Sequence, residues 1–222
     1  MISPTAAISH LPAKIPVFPL TGVILIPGSN LPLNIFEPRY LKMVRDAVTS
    51  DGLIGMVQPK PQESSGNSDE EPDLYSVGGV GKIDDLVDTG DNKFNIRLRG
   101  VARFEITSEL TTTTPYRQVH ADWSHYDDLH ADREVDNIDR RTLLAALSNY
   151  LDVRGLEADF DTIAEAPNDI LVNSLSVIIP MGAPEKQALL EAVSIDERAA
   201  TLETLLKMSV VESGAKEPPQ FH

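Results

Sequence analysis

The chain has 222 residues, of which 19 are Lys or Arg and 34 are Asp or Glu, giving a formal charge of −15 at pH 7. Phosphate polymers and anionic membranes are gripped by clustered cations, so this balance disfavours both. Cysteine is absent, which excludes disulfides, thiolate nucleophiles, iron–sulfur clusters and cysteine-based zinc sites, while 41% hydrophobic and 24% charged residues are the proportions of an ordinary globular chain.

The first basic residue is Lys14, so no charged leader precedes an apolar stretch. The longest clean apolar run, Val23 to Ile26, falls far short of the roughly 20 residues of a membrane helix. A cytoplasmic chain without a membrane span is expected. From Lys14 to about Trp123 the texture is of short apolar runs broken by Pro and Gly: Ile15 to Pro19, Val23 to Ile26, Leu31 to Phe36, Leu53 to Val57, Val77 to Val87 and Phe94 to Ile106. Such runs are too short for helices and are bounded by turn residues, so they predict strands. Phe94, Ile96 and Leu98 alternate with polar residues, the period of a half-buried strand, and Asp91-Asn92 before them predicts a hairpin turn. Tyr116 to Trp123 supplies a final strand. One helix interrupts the series: Pro38 suits a first helical position, and Tyr40, Leu41, Val44 and Val48 share a face until Asp51-Gly52. Residues 61–73 contain no large apolar side chain and predict a mobile loop.

After about Ala131 the period changes to that of helices. Leu143, Leu144, Leu147 and Leu151 mark one helix. Ile170, Leu171, Leu175 and Ile178 mark a second, ended by Pro180. Pro184 opens a third, and Ser194 with Glu197 has the spacing of a capping box that opens a fourth, with Ala199, Leu202, Leu205 and Leu206 as its buried face. Residues 212–222 are polar and predict a frayed tail. Strands followed by helices give an α+β chain or two separate domains.

The stretches Ile15-Pro16-Val17-Phe18-Pro19-Leu20 and Leu31-Pro32-Leu33-Asn34-Ile35-Phe36-Glu37-Pro38-Arg39-Tyr40 resemble the opening of the Lon protease N-terminal domain family. The likeness continues through Gly55-Met56-Val57-Gln58-Pro59, Val77-Gly78-Gly79-Val80-Gly81-Lys82-Ile83, Leu98-Arg99-Gly100-Val101-Ala102-Arg103-Phe104 and Glu185-Lys186-Gln187-Ala188-Leu189-Leu190-Glu191. It implies a PUA-like β-barrel subdomain over residues 14–124 and an all-helical bundle over 132–211, as in a stand-alone bacterial form of the module. In that family the module is non-catalytic and engages polypeptide substrates. A complete Lon protease also needs an ATPase phosphate loop and a Ser–Lys peptidase site, and neither set of residues occurs here, so a non-enzyme without cofactor is expected.

The residues themselves offer little chemistry. Gly78-Gly79-Val80-Gly81-Lys82 is followed by Ile83 where a phosphate loop needs Ser or Thr, and close backbone packing in a curled sheet accounts for the glycines. Ser174 or Ser176 could be matched with Lys186 as a nucleophile and base, but nothing signals an oxyanion site. His120, His125 and His130 lie among Asp122, Asp127, Asp128 and Asp132, yet spacing by five fits no metal-ligand pattern, and a solvated link explains them. Glu37 and Arg39 suggest a charged lip beside a groove, or simply an acid at a helix start with a local partner. The expected activity is therefore the binding of extended polypeptide or a partner protein, through apolar contacts and pairing to a strand edge. Candidate peptide contacts are Leu33, Phe36, Met56 and Trp123, each of a type more often found in a core. RNA binding through Arg97, Arg99 and Arg103 and an unrecognised hydrolase are the alternatives. Self-association is permitted, although no residue pattern calls for it.

Overall fold

The computed structural model describes residues 11–61, 71–126, 128 and 138–214. Most of the loop expected over 61–73, the tail from residue 215 and His130 lie outside them. The chain divides into two compact units, Met1–Ala131 and Asp132–His222.

The first unit is a mixed sheet with one helix. In chain order it contains β1 (Lys14–Pro19), β2 (Asn30–Ile35), α1 (Pro38–Val48), β3 (Leu53–Val57), β4 (Val77–Gly90), β5 (Lys93–Glu109) and β6 (Gln118–Asp122). The six strands run β2-β5-β4-β3-β1-β6, and β6 pairs back onto β5. The long β5 makes this return possible: residues 94–99 pair with β2, while Glu105 to Glu109 pair with β6. Among the described residues only β1 and β3 pair in parallel, in register Val17 to Gly55, and the β2–α1 segment is the crossover that a parallel pair requires. Asp91 and Asn92 close the β4–β5 hairpin with φ of 52° and 55°, the left-handed pair of a type I′ turn.

Val23 to Ile26 forms no strand. Val23 is half-buried and the rest are buried, with Ile24 2%, Leu25 1% and Ile26 0% exposed. The segment lies across two sheet glycines: a Cβ on Gly79 would stand 1.8 Å from the Leu25 carbonyl oxygen, and one on Gly100 would stand 2.1 Å from that of Ile26. The glycine-rich run thus admits another stretch of backbone, as its composition predicts. Gly28 N donates to Gly100 O, and Gly100 N donates to Ser29 O.

Two apolar clusters fill the unit. Tyr40, Leu41, Met43, Val44 and Ala47 of α1 cover Phe18, Ile35, Met56, Phe94 and Leu98, among others. The second gathers Ile15, Val17, Val80, Phe104 and Val119. Val48, expected on the buried face of α1, is its last residue and is exposed. Behind the second cluster, Arg103 is buried and paired with Asp128: Nε and Nη2 donate to the carboxylate at 2.9 and 2.8 Å, and the Arg103 amide donates to it as well.

The second unit is helical: α2 (Arg140–Arg154), α3 (Phe160–Glu165), α4 (Asn168–Ile178), α5 (Ala183–Glu191) and α6 (Ile195–Gly214). Its α3 escapes periodicity because six residues show too little of a 3.6-residue repeat. Glu197 N donates to Ser194 Oγ at 3.1 Å, the cap that the sequence indicates for α6. That helix continues to Gly214, past the expected start of the tail. The buried face of α4 carries Leu171, Val172, Leu175 and Ser176, whereas Ile170 and Ile178 point outward, 54% and 73% exposed. Lys186 and Arg198 are buried within this unit.

Candidate functional site

The four candidate contact residues do not form one surface. Phe36 follows β2 and is 61% exposed. Leu33 is half-buried against the cluster under α1, and Met56, 1% exposed, lies inside that cluster and presents nothing to a guest. Trp123 is half-buried against the other cluster, 5.6 Å from the Phe104 ring, and its Nε1 donates to Pro12 O. Met56 must therefore be withdrawn as a contact: on β3, which is buried along its whole length, its side chain packs inward.

Edge pairing is limited as well. Bonded pairs alternate along an antiparallel ladder. Because Ser29 O accepts from Gly100 N, the register of β2 on β5 turns the backbone groups of Leu31, Leu33 and Ile35 toward β5 and those of Asn30, Pro32 and Asn34 away from it. Among the described residues no strand pairs on that outer side. Pro32 has no N–H, so the open edge lacks a donor at its centre, a common way to blunt a strand edge.

The residues singled out for chemistry are otherwise engaged. Ser176 Oγ is buried and donates to Val172 O, while Lys186 Nζ donates at 2.6 Å to the carbonyl of Ser176 rather than to its hydroxyl. Asp128 is taken up by Arg103, and His125 packs edge-on against Tyr126. Arg97 and Arg99 face Asp84 at 3.2 and 3.9 Å, so the basic cluster considered for RNA is matched by carboxylates.

A cleft of about 530 Å³ opens on the first unit where the ends of several elements meet. Pro19 at the end of β1, Arg39 and Tyr40 at the start of α1, Pro59 after β3, Glu71-Pro72 before β4, and the Glu109 to Arg117 connection between β5 and β6 all reach it. Its walls combine prolines and two tyrosine rings with threonines and charged side chains. The Tyr40 ring packs 4.2 Å from that of Phe18, and burial pushes its phenol pKa up. Tyr116 donates its hydroxyl to Asp46 at 2.8 Å; burial and then this carboxylate push the phenol up to about 12, so it stays neutral at physiological pH. Lys42, followed by Tyr116, holds the Asp46 carboxyl below the usual range.

Two guanidiniums set the charge of the cleft. Arg117 donates through Nε and Nη2 to Glu109 at 2.6 and 2.5 Å, and through Nη1 to Pro72 O at 2.8 Å. The Glu109 bond raises its already high pKa. Arg39 lies 4.6 Å over the Tyr40 ring and pairs with Glu37 at 3.0 Å. Glu71 spans the two cations, 3.3 Å from Arg39 Nη1 and 3.8 Å from Arg117 Nε. No histidine or lysine lines the cleft among the described residues. It can hold apolar rings and exchange hydrogen bonds. Of these residues only Glu37 and Arg39 stood out in the sequence. The others come from the end of β1, the start of α1, the β3–β4 connection and the β5–β6 connection, whose convergence no local spacing announces.

The chain is α+β, a mixed sheet followed by helices, and its first unit carries a cleft lined by prolines, tyrosines, threonines and charged side chains. The substrate-binding domain of ATP-dependent protease La (Lon) matches residues 14–208, and the chain belongs to that family. It is 31% identical over 215 residues to the Lon protease of Parabacteroides distasonis, covering 89% of this chain and 24% of that protein. With the Lon protease of Syntrophus aciditrophicus the identity is 26%, covering 97% of this chain and 28% of the relative. The chain thus spans about a quarter of these curated relatives, and no ATPase or protease domain is found in it. Its fold is that of a Lon N-terminal domain protein from Xanthomonas campestris, with TM-score 0.60, 20% identity and coverage of 87% of this chain and 97% of the other. The N-terminal domain of Mycobacterium avium complex Lon protease superposes with TM-score 0.58 at 16% identity, covering 87% and 98%. No described helix is long and apolar enough to cross a membrane.

Proposed function

We propose that this chain is a non-catalytic module that holds an extended segment of another polypeptide, in the cytoplasm and in the service of protein quality control. The cleft between Tyr40, Tyr116 and Arg117 carries this reading: proline and tyrosine walls suit an unfolded segment, while bound guanidiniums and loop carbonyls offer polar partners along its length. The family's description as substrate-binding points the same way. Phe36 is an apolar contact beside β2, with Leu33 and Trp123 contributing what surface they leave uncovered. The return of β6 onto β5 supports reading the first unit as a PUA-like barrel over residues 14–124, with the bundle over 132–211 as the second domain. The blunted β2 edge assigns the larger share of binding to side chains rather than to main-chain pairing.

The test is a fluorescence titration of the purified chain with a labelled, permanently unfolded carrier such as reduced, alkylated lactalbumin. Saturable binding that is competed by unlabelled carrier is expected. A flat titration overturns the proposal, and RNA binding that weakens steeply with salt would replace it with the nucleic-acid alternative.

A further inference from the structure

Glu71 and Pro72 occupy the cleft in the manner of a guest. The Glu71 carboxylate lies between Arg39 and Arg117 at 3.3 and 3.8 Å, and the carbonyl of the next residue, Pro72, accepts from Arg117 Nη1 at 2.8 Å. The two arginines are not held equally. Arg117 is clamped by both Glu109 oxygens with its side chain 15% exposed, whereas Arg39 is 41% exposed and keeps its Nη2 without a partner among the described residues. Glu71 itself is 58% exposed, and its longer contacts are those of a weak, replaceable ion pair.

From this geometry we infer that the cleft recognises a side-chain carboxylate on an extended polypeptide, seated between Arg39 and Arg117, and that Glu71-Pro72 is a built-in competitor for the same seat. This assignment rests on the polypeptide-binding function proposed above and names the guest's chemistry. The guest places an Asp or Glu where Glu71 sits and offers the next backbone carbonyl to Arg117. Exchange of one carboxylate for another leaves the local charge unchanged. Glu109 and Glu37 remain in place to orient the arginines after the exchange.

The test uses three fluorescein-labelled dodecapeptides of otherwise neutral, uncharged sequence. One has a central Glu-Pro and an amidated C-terminus, the second a central Gln-Pro and an amidated C-terminus, and the third Gln-Pro with a free C-terminal carboxylate. Each is titrated by anisotropy against the full chain, Glu71→Ala, and Glu71→Ala combined with Arg39→Gln, with thermal melts confirming that both variants are folded. Glu71→Ala should bind the Glu-Pro peptide about five-fold more tightly than the unaltered chain does, the size expected of one partly exposed ion pair. The Gln-Pro peptide should gain less, and Arg39→Gln should abolish the difference between the two peptides. Equal affinity of Glu71→Ala for the Glu-Pro and Gln-Pro peptides overturns the inference, as does a gain confined to the free-terminus peptide. If the unfolded carrier still binds saturably in that case, polypeptide holding survives and only the carboxylate seat falls. If the carrier fails too, both fall.

Discussion

The two units bury cations in opposite ways. In the sheet unit Arg103, 4% exposed, is met by a full countercharge, the bidentate Asp128 carboxylate, and its guanidinium lies 4.0 Å from the Tyr126 ring centre. In the helical unit Lys186, 2% exposed, sends Nζ to two neutral oxygens, the carbonyls of Ser176 and Val177 in the last turn of α4 at 2.6 and 2.7 Å. The negative end of the helix substitutes there for a carboxylate. A cation held only by dipoles is more exposed to the cost of desolvation than one met by an anion. Burial accordingly pushes the Lys186 pKa down to about 8.

The strongest way to break this contrast is to remove the anion. Asp128→Ala takes the bidentate carboxylate from a buried guanidinium and should cost about 3 kcal/mol in chemical denaturation. The double change Arg103→Met with Asp128→Leu should recover most of that loss, because neither charge is then left alone. Gly79→Ala drives a methyl group into the Leu25 carbonyl and should cost about 3 kcal/mol, visible as a lowered melting temperature, since backbone on both sides leaves little room to relax.

The lysine sharpens the comparison through pH. Its folded-state pKa is depressed, so between about 8 and the ordinary lysine value of 10.5 the unfolded chain holds a proton that the folded chain has released. Stability contributed at this site should rise as pH increases across that window, by up to roughly 3 kcal/mol, and stay flat below it. Subtracting the denaturation profile of Lys186→Met from that of the unaltered chain isolates the effect, and a flat difference between pH 7.5 and 10 would contradict it. The smallest change in stability is expected at Phe36. Phe36→Ser should move it by less than about 0.5 kcal/mol, because the ring is 61% exposed, while weakening capture of the unfolded carrier in the titration described above.

Much of the architecture was legible in the chain because it depends on local rules. Alternation in Phe94 to Leu98, Pro38 at a helix start, and Ser194 with Glu197 at another each act over a few residues, and the structure uses each of them. Val23 to Ile26 shows where such rules stop. Its composition suits a strand, but it is held by side-chain burial and by glycines more than 50 positions away, which no window on the sequence can see. The cleft was half visible for the same reason. Glu37 and Arg39 sit in a recognisable motif, while Glu71, Glu109 and Arg117 acquire meaning only when the β3–β4 and β5–β6 connections meet. Met56 illustrates a third limit: hydrophobicity marks a residue as wanting cover but does not say whether the cover is the protein itself or a guest.

The seating of Leu25 and Ile26 on Gly79 and Gly100 bears on where this protein can be cut or extended. That contact joins distant stretches of chain without a side chain on the glycine side, so it depends on main chain fitting against main chain as well as on the burial of Leu25 and Ile26. A fluorophore or affinity epitope spliced in at Asp91-Asn92, a tip exposed to solvent, should ride on the hairpin unnoticed. The same splice between Leu25 and Ile26 should yield insoluble material, because the wedge would no longer lie flat and the glycine floor beneath it would be laid open to water.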